Sequence, residues 1–221
     1  PATPYQPRTT LLCVENTHNA SGGRIVPLER LREIRALADR RGIPLHLDGA
    51  RLWNASAASG VAPGEYAALA DTVMVALSKG LGCPVGSLLA GPGDFMAEAW
   101  RVRRRMGGSM RQSGILAAAG LFALDNHVER LPEDHARARR LAELCAGIEG
   151  LDVKVPETNI VMLDLLRADG DAATVVANLA GQGVLMTPFS SRRLRAITHL
   201  DVDDDGIRRA AAALAEVVAQ P

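Results

Sequence analysis

Two residues of complementary chemistry follow apolar runs of the chain that are typical of buried strands. Lys79 comes shortly after the apolar run 72–77, and Asp48 closes the apolar run 45–48. A lysine amine at a strand end becomes nucleophilic when burial disfavours its charged form, as formation of a Schiff base requires. Of the 25 basic residues only Lys79 and Lys154 are lysines, so each of them invites a functional interpretation.

An aspartate and a lysine at the ends of neighbouring strands match the requirements of pyridoxal phosphate. This cofactor needs a lysine for covalent attachment and often an aspartate that keeps its pyridine nitrogen protonated, so that the ring accepts electrons from the substrate Cα atom. Asp48 precedes Lys79 by about 30 residues, which is the length of one connection between parallel strands. From the residues alone two other interpretations stay open: Asp48 as a helix N-cap paired with Arg51, and Lys79 as a solvated surface lysine.

Three further polar groups of residues carry weaker signals. The run Glu15–Asn19 follows the first apolar run, but Asn and Thr also form ordinary turns. The loop Gly107–Gln112 precedes a helix and offers backbone N–H groups to an anion, although it is neither a Walker A motif nor a dinucleotide-binding motif. His46 and Asp48 share one face of a strand, but no third ligand lies near them in sequence, so no metal site is predicted.

The elements that position these residues alternate between strands and helices. Apolar runs predict strands at 11–15, 45–48, 72–77, 85–89, 160–164, 185–187 and 196–198. Helical spacing and turn residues predict helices at 27–41, 51–59, 94–106, 112–128, 132–148, 172–183 and 205–219. Strands separated by helices indicate an α/β fold. We place a larger, cofactor-binding domain at residues 1–126 and a smaller domain at 127–221.

Composition and charge exclude several classes of protein. The 221 residues are 48% hydrophobic and 23% charged, as in globular domains. The 25 basic and 25 acidic residues balance, which gives no electrostatic reason to expect binding to nucleic acid or an acidic membrane. No apolar run approaches the ~18 residues of a membrane span. Three widely spaced cysteines predict no disulfide framework, so we expect a cytoplasmic protein.

Five segments of the chain together resemble the low-specificity L-threonine aldolases, which are fold-type I pyridoxal-phosphate lyases of the β-eliminating lyase group. They stand in the family's order from Leu11 to the C-terminus: ENTHN, HLDGARLWNA, LSKGLGCPVGSLLAG, GGSMRQSGILAAAG and ITHLDV. The resemblance implies the fold-type I architecture, with a mixed, mostly parallel sheet in the large domain and a small α/β domain after it. It also implies retro-aldol cleavage of L-threonine or L-allo-threonine to glycine and acetaldehyde.

The resemblance implies which residues bind the cofactor. Lys79 is expected to hold pyridoxal phosphate covalently, with Ser78 beside it, and Asp48 is expected to pair with the pyridine nitrogen. Arg51 is expected beside the cofactor and the substrate. Arg111, in the GGSMRQ loop, is expected near the cofactor phosphate or a subunit interface.

The resemblance also implies which residues bind the amino-acid substrate. Arg195 matches the arginine that binds the substrate carboxylate, and His18 is expected to hydrogen-bond the β-hydroxyl group. His18 is thereby expected to act in catalysis together with Lys79 and Asp48. Other fold-type I reactions, β-elimination or transamination, remain the alternative for an enzyme.

Family members extend well upstream of Leu11, and that upstream part, about a third of a full-length enzyme, supplies a Gly-Thr turn for the cofactor phosphate and a histidine that stacks on the ring. The resemblance therefore implies that these groups lie outside the 221 residues. A catalytically incomplete fragment that acts only through subunit contacts is the alternative from another functional class. Apolar residues on helix 112–128, such as Ile115, Leu121 and Phe122, predict a surface that is covered by another subunit, as in a homodimer or homotetramer, or by the upstream part of the family's chain.

Overall fold

The computed structural model describes residues 7–167 and 171–219. Contacts within the chain separate two units. Unit 1 contains the chain up to Thr17 together with Val26–Val128, and unit 2 contains His18–Ile25 together with the chain from Glu129 onward. The division of the chain into domains at residue 126 stays a prediction. No helix in the described part of the chain is long and apolar enough to cross a membrane.

A four-stranded sheet organises unit 1. Its strands are β1 (Leu12–Glu15), β2 (Leu45–Gly49), β3 (Thr72–Ala76) and β4 (Ser87–Ala90), hydrogen-bonded in that order. The first three strands are parallel, and β4 runs antiparallel to β3. Together with the helices that follow the strands, this arrangement confirms the predicted α/β fold with a mixed, mostly parallel sheet.

Local sequence signals explain the first helix of unit 1. Helix α1 (Leu28–Arg41) begins after Pro27, whose ring restricts the backbone at the helix start. It ends at Gly42, which adopts a left-handed conformation with φ 58°. Leu31 and Ala38, two turns apart on one face, are buried. The other helices of the unit are α2 (Leu52–Ser59), α3 (Pro63–Ala67), α4 (Gly93–Arg105) and α5 (Gly114–Asn126).

The last part of unit 1 exposes much apolar surface. No residue of α4 is buried, every residue of β4 is exposed, and only Gly120 and Ala123 are buried on α5. On α5 the side chains of Ile115 and Phe122 are 83% and 59% exposed. Apolar areas of this kind usually mark contact surfaces.

A second four-stranded sheet, entirely antiparallel, organises unit 2. Its strands are β5 (Leu151–Val153), β6 (Ile160–Leu165), β7 (Thr187–Ser190) and β8 (Arg193–Ile197), in the spatial order β5-β6-β8-β7. Helices α6 (Leu131–Cys145), α7 (Ala172–Gly181) and α8 (Asp204–Ala219) supply the rest of the unit. The core joins one face of β6 and β8 to these helices through side chains that include Leu141, Leu163, Leu179, Leu194 and Leu214.

Some predicted boundaries differ from the structure, because short elements carry weak sequence signals. The strand predicted at 185–187 is instead β7, which begins at Thr187, and the predicted strand 196–198 is β8, which ends at Ile197. The sequence pattern also missed the three-residue strand β5 and the five-residue helix α3. Unlike α5, helix α6 buries most of its apolar side chains within its own unit.

The buried residue His135 on α6 makes the stability of unit 2 depend on pH. Its side chain is 2% exposed, and burial together with the nearby Arg139 lowers its pKa from 6.5 to about 4, against the opposing effect of Asp134. Because the unfolded chain binds the proton more readily, stability is complete above pH 6.5 and is lost as the pH falls toward 4. At about 1.4 kcal/mol per pKa unit, the loss is on the order of 3 kcal/mol.

Urea unfolding followed by far-ultraviolet circular dichroism at pH 7 and pH 4.5 measures this loss. In the variant His135→Leu, the free energy of unfolding should fall less between the two pH values than in the wild type. His199→Ala, a substitution at an exposed histidine, serves as the control and should keep the wild-type dependence. Equal pH dependence in wild type and His135→Leu contradicts the prediction.

Candidate active site

The carboxyl ends of β2 and β3 bring Asp48 and Lys79 to the same edge of the unit 1 sheet. The two strands are parallel, and Gly49 pairs with Val75 in their register. Asp48 is the penultimate residue of β2, and Lys79 follows the end of β3 by three residues. Ligands of open α/β sheets bind at this edge of the strands.

The Asp48 carboxylate keeps one oxygen available. Its Oδ1 atom accepts a hydrogen bond of 3.0 Å from the backbone N–H of Ala50, whereas Oδ2 has no partner among residues 7–167 and 171–219. At the end of the neighbouring strand, Thr17 is fully buried, and its hydroxyl also lacks a hydrogen-bond partner within the described chain. Because Thr17 is fully buried, Oδ2 of Asp48 is the one of these two groups that remains accessible to a ligand.

Close packing holds the backbone beside Asp48. A Cβ atom on Gly49 would lie 2.6 Å from the backbone oxygen of Met74 on the neighbouring strand, so only glycine fits there. The register places Glu15, Asp48 and Met74 in one row across the three parallel strands. The position of the Asp48 carboxylate is therefore set by the sheet.

Arg51 lies at the start of α2, where its guanidinium is close to a carboxylate of β1. The Nη1 atom of Arg51 is 4.0 Å from Oε1 of Glu15, and the Arg51 side chain is only 12% exposed. Arg51 and Asp48 thus belong to the same short strand-to-helix connection. The interpretation of Asp48 as a side-chain N-cap of α2 finds no support, because the N-cap of α2 is Arg51 and has no side-chain cap.

Lys79 and Ser78 lie in an exposed turn between β3 and β4. The backbone oxygen of Lys79 accepts a hydrogen bond from Gly82, and the backbone oxygen of Leu77 accepts one from Cys83. The Lys79 amine has no hydrogen-bond or ion-pair partner in the part of the chain that the structure describes. The backbone is therefore held while the amine remains available.

The chemistry of these groups fits pyridoxal phosphate. An available lysine amine matches the covalent attachment, and a carboxylate with one available oxygen matches a protonated pyridine nitrogen. Arg111 lies in the exposed loop before α5, where it makes no hydrogen bond or ion pair with another described residue. The structure does not bring Arg111 into contact with Asp48 or Lys79, and its expected role stays a prediction.

In unit 2, Arg195 projects from β8, and its partners among the described residues are uncharged. Its Nη1 atom donates a hydrogen bond of 2.8 Å to Oδ1 of Asn19, and its guanidinium lies 5.5 Å from the centre of the Phe189 ring. The Nε atom of Arg195 is buried, with no hydrogen-bond partner within residues 7–167 and 171–219. An anion that binds this guanidinium would therefore not have to displace a carboxylate.

The neighbouring arginine on the same strand differs in this respect. Arg193 forms two hydrogen bonds with Asp164, of 2.6 and 2.8 Å, and this pairing raises the pKa of the Arg193 guanidinium. Residues 193 and 195 project from the same side of β8, because side chains two positions apart on a strand share a face. Of these two arginines, only Arg193 has a carboxylate partner within the part of the chain that the structure describes.

His18 begins a turn whose two ends are joined by backbone hydrogen bonds. Its backbone N–H donates to the oxygen of Arg24, and its backbone oxygen accepts from Gly23. The His18 ring contacts Ser21, with 2.9 Å between Nδ1 and the Ser21 oxygen. The structure places His18 and Asn19 in the same unit as Arg195, although 176 positions separate Asn19 from Arg195.

Sequence reasoning missed the polar partners of the proposed substrate-binding side chains. In the sequence Asn19 is only one member of a polar run, and neither Ser21 nor Phe189 carries a functional signal. The pairing of His46 Nδ1 with the Thr72 hydroxyl, at 2.8 Å, was also not foreseen. Among the described residues no cluster of three His, Cys, Asp or Glu side chains is arranged to hold a metal ion.

Comparison with known proteins identifies a consistent set of relatives. The family described as Beta-eliminating lyase matches residues 1–168. The chain is 42% identical over 200 residues to low-specificity L-threonine aldolase 1 of Arabidopsis thaliana, covering 88% of this chain and 55% of that protein. It is 43% identical over 205 residues to the low specificity L-threonine aldolase of Escherichia coli K12, covering 93% and 59%. The chain thus spans somewhat more than half the length of these curated relatives.

A solved structure shares the fold. The structure of Leishmania major threonine aldolase superimposes with a TM-score of 0.76 at 21% identity, covering 95% of this chain and 61% of that one. At this level of identity the superposition bears on the fold alone.

Proposed function

Because the chain belongs to the beta-eliminating lyase family, we propose that it is part of a pyridoxal-phosphate-dependent lyase that cleaves L-threonine or L-allo-threonine to glycine and acetaldehyde. The observation that carries the proposal is that the Lys79 amine and the Asp48 Oδ2 atom, both without a partner among the described residues, lie at the same carboxyl edge of the unit 1 sheet. The names of the Arabidopsis and Escherichia coli relatives support threonine as the substrate.

In this proposal the residues of unit 1 hold the cofactor. Lys79 would hold it covalently, with Ser78 beside the attachment point, and Asp48 would hold a proton on the ring nitrogen. Arg51 would bind an acidic group of the cofactor or substrate, and Arg111 the phosphate or a neighbouring subunit. When bound, pyridoxal phosphate supplies an electron acceptor for the pair released by the broken bond.

The residues of unit 2 orient the substrate and accept the proton of its β-hydroxyl group. Arg195 binds the substrate carboxylate, since its charge is not paired and its Nε atom lacks a partner among described residues. His18 accepts the proton of the β-hydroxyl group, directly or through a water molecule. The oxygen electrons then form the carbonyl group of acetaldehyde as the Cα–Cβ bond breaks, and a proton added at Cα completes glycine. By fixing the carboxylate, Arg195 sets which bond at Cα breaks.

The test of the proposed function is the product formed from a defined substrate. The purified protein that carries this chain, supplied with pyridoxal phosphate, is expected to release acetaldehyde and glycine in equal amounts from L-threonine. Ammonia with 2-oxobutanoate would indicate β-elimination, and an amino group passed to an added keto acid would indicate transamination. No product together with no bound cofactor would favour the fragment that acts only through subunit contacts.

Arg195 tests the proposed recognition of the carboxylate. Arg195→Lys keeps the charge but loses the paired N–H groups of the guanidinium, so the KM for L-threonine is expected to rise about tenfold or more. The visible spectrum of the bound cofactor should stay unchanged. Arg193→Lys is the matched control on the same strand, and its KM should change little. An unchanged KM in Arg195→Lys rejects the assignment.

The proposed assembly is a homodimer or a homotetramer. The exposed apolar side chains of α5 support it, because apolar side chains that adjoin one another on a surface are usually covered by a partner. Sedimentation at micromolar concentration is expected to show a dimer or larger species. Phe122→Glu should weaken the assembly and so lower the mass of the sedimenting species. Val155→Glu, at another exposed apolar residue, should not. A monomeric and fully active protein contradicts the proposed assembly.

A cytoplasmic location is also part of the proposal. All three cysteines, Cys13, Cys83 and Cys145, are free thiols, and Cys13 is exposed. Free thiols are typical of a reducing compartment.

A further inference from the structure

We propose that the turn formed by His18–Arg24, here called the 18–24 turn, presets both substrate-recognition side chains: Asn19 holds the Arg195 guanidinium, and Ser21 selects the tautomer of His18. This inference rests on the proposed function, in which Arg195 binds the carboxylate and His18 accepts the hydroxyl proton. It assigns positioning roles to two residues, Asn19 and Ser21, that would not themselves have to touch the substrate.

The 18–24 turn is anchored to unit 2 by several independent contacts. The buried hydroxyl of Thr158 donates a 2.7 Å hydrogen bond to the backbone oxygen of Gly23. Glu157 accepts from Nε of Arg24 at 3.0 Å and from the backbone N–H of Ile25 at 2.8 Å. Because both anchoring residues lie within three positions of the start of β6, the turn is held next to the sheet that carries Arg195.

Glycine is required where the turn approaches the sheet. Gly23 has φ +72°, a conformation that other residues rarely adopt, and a Cβ atom there would lie 2.6 Å from the Thr158 hydroxyl. At Gly22, with φ +85°, a Cβ atom would lie 3.1 Å from the Met162 side chain. Met162 is the register partner of Arg195, so the turn packs next to the arginine that it is proposed to position.

Asn19 and Phe189 hold Arg195 without neutralising it. The amide oxygen of Asn19 accepts one N–H of Nη1, and the ring of Phe189 lies against the guanidinium. Both partners are uncharged, in contrast to the Asp164 carboxylate that pairs with Arg193 on the same strand. Such partners restrict the rotamers of the long side chain but leave its charge for an anionic group.

The Ser21 hydroxyl contacts both the ring and the backbone oxygen of His18, and this arrangement fits a proton on Nδ1 of the ring. The Ser21 hydroxyl has one hydrogen, and its oxygen lies 3.1 Å from the backbone oxygen of His18, which can only accept. If the hydroxyl donates there, the 2.9 Å contact between Nδ1 of His18 and the Ser21 oxygen requires a proton on Nδ1. Neutral His18 then has its lone pair on Nε2, and this nitrogen becomes the one that accepts a proton.

A double-mutant cycle tests the role of Asn19. Asn19→Ala is expected to raise the KM for L-threonine about fivefold to tenfold, with kcat changed less than twofold. In the Arg195→Ala background the same change should have no further effect, because the group that it positions is gone. Asn178→Ala, an exposed asparagine of unit 2, is the control and should leave KM unchanged.

A ligand without a carboxylate separates positioning from general damage. Asn19→Ala should not weaken inhibition by threoninol, the amino alcohol in which a hydroxymethyl group replaces the carboxylate of threonine. Equal weakening for threonine and threoninol would overturn the role of Asn19, as would additive effects in the cycle. If Arg195→Ala itself leaves the KM for threonine unchanged, the assignment under the proposed function fails, and the inference falls with it. If Arg195→Ala raises KM and Asn19→Ala does not, only the inference fails.

The pH dependence of kcat/KM tests the role of Ser21. Ser21→Ala is expected to lower kcat/KM about fivefold and to change its dependence on pH, since the Ser21 hydroxyl then no longer favours one tautomer of His18. Ser21→Thr keeps the hydroxyl and should restore both values to within about twofold. A pH profile unchanged in Ser21→Ala, or a loss that Ser21→Thr does not recover, overturns this part of the inference.

Discussion

Replacing Lys79 with alanine is expected to eliminate covalent cofactor binding and to lower kcat for threonine cleavage by about 10³-fold or more. The reason is that the lysine is the group that holds the cofactor covalently, and loss of such a nucleophile is among the most damaging changes in enzymes. The Lys79 amine has no partner within residues 7–167 and 171–219, so its removal breaks no ion pair there and the fold should be retained. The visible absorbance of lysine-bound cofactor should disappear in Lys79→Ala.

The chain itself provides the control, because it has only one other lysine. Lys154 is exposed and lies in unit 2, after β5. Lys154→Ala should keep both the absorbance and the activity. Reduction of the wild-type holoprotein with borohydride, followed by peptide mapping, should place the pyridoxyl label on Lys79. A label on Lys154, or substantial activity in Lys79→Ala, contradicts the assignment.

The second large effect is expected at Asp48. Asp48→Ala should lower kcat by at least about 10²-fold and weaken cofactor binding, because a charged partner in a water-poor site contributes several kcal/mol. The physical reason is the loss of the carboxylate that keeps the ring nitrogen protonated. The measurement is kcat at saturating threonine and cofactor, together with the dissociation constant of the cofactor.

Asp48→Asn distinguishes this electrostatic role from a structural one. The asparagine oxygen can still accept the hydrogen bond from the Ala50 N–H, whereas the charge is lost. A variant that melts like the wild type but loses activity as Asp48→Ala does would support the electrostatic role. If Asp48→Asn retains near-normal kcat, the carboxylate only shapes the connection between β2 and α2.

Several features of the fold and site were predictable because they depend on local sequence. Gly42 marks the end of α1, and apolar runs mark β1, β2 and β3 to within one or two residues. Given three parallel strands in one sheet, residues that follow their ends share an edge, so Asp48 and Lys79 could be placed together. Short elements such as β5 were not predictable, since three residues carry too little pattern.

Other features could not be predicted because they depend on contacts between residues far apart in sequence. No spacing rule distinguishes the charge environments of Arg193 and Arg195, yet the antiparallel pairing of β6 with β8 places Asp164 opposite Arg193. Arg195 instead meets Asn19, which no spacing rule connects to it. This difference decides which of the two keeps an unpaired charge.

The sequence by itself determined the type of fold, the family, and the placement of Lys79 and Asp48 after neighbouring strands, because hydrophobic periodicity and short motifs are local properties. Only the tertiary structure decided that the segment His18–Ile25 belongs to unit 2, where Thr158 and Glu157 anchor it to the sheet that carries Arg195. It also decided that α6 buries its apolar face while α5 exposes one. The physical reason is that burial and hydrogen bonding depend on which surfaces meet after folding: the mostly apolar α5 stays exposed, whereas the more charged α6 buries its apolar residues.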